Sequence, residues 1–97
     1  MYTIENTINE SAFKGLKATK LRSIDAKEIK LITIEKNHEL PAHSSPRDAN
    51  LIVLEGVLDF YIENKSFRLE KQQVFGFGKN VIHSAKAIEN TKFLIIR

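Results

Sequence analysis

The chain has 97 residues, no cysteine and a formal net charge of +3. That length makes one domain, and a domain this short buries only about 60–65% of the surface its unfolded chain exposes. Without cysteine, neither a disulfide nor a thiolate metal site can reinforce so small a core, which leaves a histidine-based metal or self-association.

The basic balance carries little functional meaning. The lysines are scattered, the one dense run being Lys14, Lys17 and Lys20, with Asp25 and Glu28 close behind. Nucleic-acid binders cluster such charge and add exposed aromatics. Here the phenylalanines fall in apolar strand patterns, so nucleic acid is not expected as a partner. Met1 to Glu10 contains no apolar run of the kind a secretory leader needs. The run Phe93 to Ile96 is far too short to span a bilayer. A cytoplasmic location with no membrane partner is the expectation.

Residues 1–18 form an N-terminal arm and residues 19–97 a barrel. In the arm, Asn9 is a candidate cap for a short helix with Phe13 and Leu16 on one face, which Gly15 weakens; an irregular arm crossing the barrel is the alternative. From Thr19 the chain turns to period-2 or continuously apolar runs between closely spaced turns, the pattern of an all-β sandwich or barrel. Leu21 and Ile24 mark a first strand. Ile29 to Ile34 is apolar on both faces, as in a strand covered on both sides. Lys36-Asn37-His38 turns the chain, since Asn tolerates the left-handed conformation. Leu40 to Ser45 and Asn50 to Glu55 follow, the latter ending at Gly56. Val57 to Ile62 and the segment holding Phe67 and Leu69 form a hairpin about Glu63-Asn64-Lys65. Val74 to Phe77, Asn80 to Ala85 and Lys92 to Ile96 complete about nine strands. No segment after residue 18 reads as a helix.

Three histidines are present. His38 sits in a turn and reads as an ordinary exposed residue. His43 and His83 each occupy a strand position where an apolar residue would serve a core better. Side chains repeat every second residue along a strand, so Pro41, His43 and Ser45 share one face, as do Val81, His83 and Ala85. The companions of His83 are small or apolar, which turns it inward. If both imidazoles point inward they converge on one pocket, with Ser45, Leu51, Val53, Phe75 and Phe77 as its further lining.

These residues resemble the cupin superfamily of small jelly-roll barrels. The resemblance runs over roughly residues 28 to 97. Its first motif, G-x5-H-x-H-x3–4-E-x6-G, aligns with His43 and ends in the run Val53-Leu54-Glu55-Gly56, but Ser45 stands at the second histidine and Ala49 at the glutamate. Its second motif, G-x5-P-x-G-x2-H-x3-N, aligns with His83. Gln72, Gly78 and Asn80 stand at its glycines and proline, and Ala87 at its asparagine. The resemblance implies a jelly-roll barrel that often pairs through its sheets. In metal-bearing members it implies three histidines and a carboxylate around a divalent transition metal. Here only His43 and His83 remain of that set, and catalytic sites ordinarily have three protein ligands. Asp48 reaches the glutamate position only if a bulge shifts it.

The leading expectation is a small-molecule-binding module with no complete metal site, no assigned catalytic residue and no cofactor. A metal-dependent dioxygenase or isomerase using His43 and His83 is the alternative, and a structural or protein-interaction module a third. Strands Asn50 to Leu54 and Ile29 to Ile34 are apolar on both faces, which predicts a symmetric homodimer. The competing account has the arm, through Ile4, Ile8 and Phe13, covering that surface within one chain.

Overall fold

The computed structural model describes residues 2–97. A single helical turn, α1 (Thr7–Glu10), precedes nine strands: β1 (Leu16–Ile24), β2 (Lys27–Ile34), β3 (Glu39–His43), β4 (Ala49–Glu55), β5 (Val57–Ile62), β6 (Lys65–Glu70), β7 (Val74–Phe77), β8 (His83–Ala87) and β9 (Thr91–Ile96). They form a five-stranded sheet in the order β1-β2-β9-β4-β7 and a four-stranded sheet in the order β3-β8-β5-β6. All pairings are antiparallel. The two sheets face each other as a jelly roll that does not close into a complete barrel. β1 begins at Leu16, inside the stretch read from sequence as arm, and α1 lies ahead of the window that Asn9 would cap.

Alternation decides what lies between the sheets. Ile32 and Ile34 of β2, Leu51 and Val53 of β4, Leu58, Phe60 and Ile62 of β5, Leu69 of β6, Ala85 and Ala87 of β8 and Phe93 of β9 make one buried core. Phe60 is the hub of its aromatic part, with ring centroids 5.1 Å from both Phe75 and Phe77. Such tilted pairs add about 0.5–1.5 kcal/mol each beyond the area they bury.

The turns carry the strain the register requires. Glu63 and Asn64 both have positive φ (52° and 60°), which gives the β5–β6 hairpin a turn that matches strand twist. Asn37, Gln72 and Asn80 are likewise left-handed.

The outer face of the larger sheet explains why β2 is apolar on both sides. Leu31 and Thr33 point away from the core yet are buried. The arm lies over this side of the sheet. Lys92 of β9, also buried, donates from Nζ to the Ile8 carbonyl (2.7 Å), lies 5.2 Å from the Phe13 ring centroid and sits 3.6 Å from the Glu55 carboxylate. Gly15 N donates to Glu35 Oε1 at 2.9 Å, fixing the end of the arm where β1 starts. Ile8 and Phe13 are half-buried in this arrangement, whereas Ile4 is exposed. Among the described residues no helix is long and apolar enough to cross a membrane.

Candidate functional site

His43 and His83 are cross-strand partners. β3 and β8 pair with His43 directly opposite His83 and Leu40 opposite Ala85, so Pro41 and Ala42 on β3 face the single residue Ser84 on β8. That bulge sets the site. Without it, Leu40 and His43 would point to opposite faces. With it, both reach the same cavity, and Pro41, expected beside His43, is exposed instead.

The two rings meet edge to face, with centroids 4.3 Å apart and their Nε2 atoms 3.2 Å apart. Each Nδ1 contacts a backbone carbonyl two residues earlier: His43 Nδ1 lies 2.8 Å from Pro41 O, and His83 Nδ1 lies 2.9 Å from Val81 O. A carbonyl can only accept, so each Nδ1 carries the hydrogen. In the neutral state both Nε2 atoms are then acceptors, 3.2 Å apart. Two acceptors this close need a shared hydrogen or a cation. A ligand hydroxyl or N–H beside the pair, its hydrogen shared between the rings, or a cation meets that need.

His83 is buried and His43 is exposed at the rim. His83 lies nearly parallel to Phe60 (17°, centroids 5.4 Å) and 4.5 Å from the Phe77 ring. Burial in this aromatic setting lowers the pKa of His83; its hydrogen bond to the Val81 carbonyl opposes that, and the charges of His43 and Arg97 add to the lowering. The inner imidazole is therefore held neutral at pH 7.

The pair opens on a cavity of about 300 Å³ between the sheets, within the range of small-molecule sites. Its apolar wall is Ile32, Leu40, Phe60, Phe77, Phe93 and Ile95. Lys30, Ser44, Pro46 and Arg97 stand at its polar side. Of the residues expected from sequence to line this pocket, His43, Phe77 and His83 do. The other four stand elsewhere. Leu51 and Val53 are packed in the core, with none of their surface on the cavity. Phe75 packs at a tilt against Phe67 and Phe60 toward the β6 side. Ser45 is buried behind the wall, where its Oγ accepts from Arg97 (3.0 Å) and from Arg47 N (3.2 Å). Lys30 and Arg97 escaped the sequence reading, although both keep the parity of inward-facing Ile32 and of Phe93 and Ile95.

The metal-ligand set falls short. Asp48 Oδ1 accepts from Lys79 N at 2.9 Å, Asp59 is bonded to Arg68 at 2.8 Å, and Glu55 faces Lys92. Among the described residues no group of three His, Cys, Asp or Glu side chains is placed to hold a metal ion. Two imidazoles with no carboxylate do not fit a resident divalent metal, which normally takes three protein ligands.

A family model described as a cupin domain matches residues 30–96. The chain belongs to the cupin family. This cupin is similar in fold to a solved RmlC-like cupin protein from Desulfovibrio desulfuricans, at 20% identity and a TM-score of 0.86 over 99% of this chain and 95% of that one. It is also similar to a conserved protein of unknown function from Streptococcus pyogenes, at 22% identity and a TM-score of 0.83 over 98% and 84% of the two chains. A third likeness is to KdgF from Halomonas sp., at 15% identity and a TM-score of 0.77 over 91% and 86%. At these identities the likenesses show the shared cupin fold alone. No curated protein matches the chain.

Proposed function

We propose that this cupin binds a small organic molecule in the cavity between its sheets, through the paired Nε2 atoms of His43 and His83 and without a resident metal. The observation that carries the reading is that backbone carbonyls claim both Nδ1 hydrogens, leaving two Nε2 acceptors 3.2 Å apart beside an apolar chamber. A ligand with one hydroxyl or N–H donor on a compact apolar body satisfies both features. The aromatic wall of Phe60, Phe77 and Phe93 suits a ring.

Thermal unfolding in excess chelator, with and without millimolar 4-hydroxybenzamide, tests this. A ligand present at 100 times its Kd stabilises the folded state by about 2.7 kcal/mol, or about 10 °C or more in Tm for a domain of this size. The expected result is a rise that survives chelator and is absent in His83→Phe. A rise obtained only with added Zn²⁺ or Ni²⁺ would overturn the metal-free reading.

One observation favours the metal-dependent alternative. Nδ1 anchored on a carbonyl is also how proteins orient a metal-binding imidazole. Tight, stoichiometric uptake of one transition metal per chain, lost in His43→Gln, would establish it.

A further inference from the structure

The polar side of the cavity is charged in one sense. β2 and β9 point Lys30 and Arg97 inward, on the same parity as Ile32 and Ile95, and both line the cavity. No acidic side chain lines it among the described residues. The nearest acid is Glu28, and one of its oxygens is shared: Oε1 lies 3.0 Å from Arg97 Nε and 3.7 Å from Lys30 Nζ. Lys20 on β1 lies opposite Lys30 in register and adds its charge to the same corner. Arg47 lines the adjoining groove with Arg97 and Glu28. The other carboxylates nearby, Asp25 and Asp48, line a further groove, and Asp48 already accepts from Lys79 N. One side-chain carboxylate thus faces an excess of cationic side chains. Arg97 is held in place by Glu28 and Ser45, with its guanidinium only partly committed. Charge of one sign in a partly enclosed site selects ligands of the other sign.

We infer that the cavity takes an organic anion: a compact ring or branched body carrying a carboxylate, which Lys30 and Arg97 receive while the hydroxyl or N–H of the same molecule is accepted by the imidazole pair. This rests on the small-molecule reading above and names its ligand class. The selectivity rests on Lys30 and Arg97 and requires no titration of the imidazoles.

The test is a matched pair of probes, 4-hydroxybenzoate and 4-hydroxybenzamide, compared by calorimetry or NMR titration of the full chain in chelator. They share ring and hydroxyl and differ in charge. The carboxylate is expected to bind about tenfold more tightly, as for a charge-assisted contact over its neutral counterpart. Lys30→Gln is expected to remove most of that preference. Arg97→Lys is expected to retain it, which guards against a loss due only to the anchoring role of Arg97. If both probes bind equally, or if Lys30→Gln leaves the preference intact, the anion inference fails while the pocket reading stands. If neither probe binds at millimolar concentration, both fail together.

Discussion

Gly56 joins β4 to β5, and the account predicts that it tolerates no side chain. Its φ is +93°, outside what an L side chain adopts with ease. A Cβ built there would overlap the Asn90 carbonyl oxygen and lie 2.5 Å from Thr91 Oγ1 and 2.7 Å from Thr91 Cα. Neither Asn90 O nor Thr91 Cα can rotate aside, because both are backbone. Thr91 is itself fixed, buried and with its Oγ1 hydrogen within reach of two carbonyls, Glu89 O (2.8 Å) and Val57 O (3.1 Å). Gly56→Ala therefore costs about 1 kcal/mol for the positive φ and about 1–3 kcal/mol for the overlap. A total near 3 kcal/mol corresponds to a fall in Tm of about 12–24 °C for a domain of this size. Gly78→Ala is the control, since its nearest neighbour is Asp48 Oδ1 at 3.9 Å, an ordinary contact. Scanning calorimetry on both variants is the assay. A Gly56→Ala protein within about 3 °C of the parent, or a Gly78→Ala protein equally weakened, refutes the close-approach reasoning.

Three further outcomes are expected. Thr33 Oγ1 is buried under the arm with no hydrogen-bond partner, so Thr33→Val should raise stability by about 1 kcal/mol in urea unfolding; a loss would mean the hydroxyl is satisfied. Burial keeps the His83 pKa below the ordinary imidazole value of 6.5, so the unfolded chain binds the proton more readily. Stability should be full above about pH 6.5 and fall as pH drops from there toward the lowered value; a profile that rises toward pH 5, or one unchanged in His83→Phe, contradicts this. Finally, we propose a symmetric homodimer through the part of the larger sheet's outer face that the arm leaves half-buried, at Ile52, Leu54 and Leu94, beside exposed Val74. Light scattering at micromolar concentration should give twice the chain mass, and a clean monomer would defeat the idea.

Much of the fold was legible because its signals are local. Glu63-Asn64 reads as a hairpin, Asn37 as a left-handed turn, and the two-sided apolarity of Ile29 to Ile34 as a strand covered on both faces. The cover on the outer side includes the arm, clamped by a buried lysine, and the spacing of Lys92 carries no hint of that role. Gln72 shows another limit. It stands where the family pattern has glycine and still adopts φ 71°, so the turn geometry persists without the residue that would announce it.

The site was half legible for a similar reason. Parity alone turns His83 inward, but the bulge at Pro41 and Ala42 breaks parity on β3, so the residue sharing the cavity with His43 is Leu40 and not Pro41 or Ser45. Leu51 and Val53 do face inward as alternation says. Depth along the strand, which a pattern does not encode, puts them beneath the cavity floor. Arg97 and Lys30 carry no sequence signal of an inward role, because a lysine or arginine at a sheet's end is usually solvated. Only the register of β2 on β9, with Lys30 opposite Ile95, brings both to one mouth.

We propose that His43 and His83 hold their hydrogens on Nδ1 and offer two Nε2 acceptors to a ligand. Long-range ¹H–¹⁵N correlation spectra of the imidazoles in the free protein at pH 7.5, followed by titration with 4-hydroxybenzamide, address it directly. Both rings are expected as the Nδ1–H tautomer, with both Nε2 resonances moving together on titration. Nε2–H tautomers, or Nε2 signals that stay fixed while the ligand binds elsewhere, would contradict it.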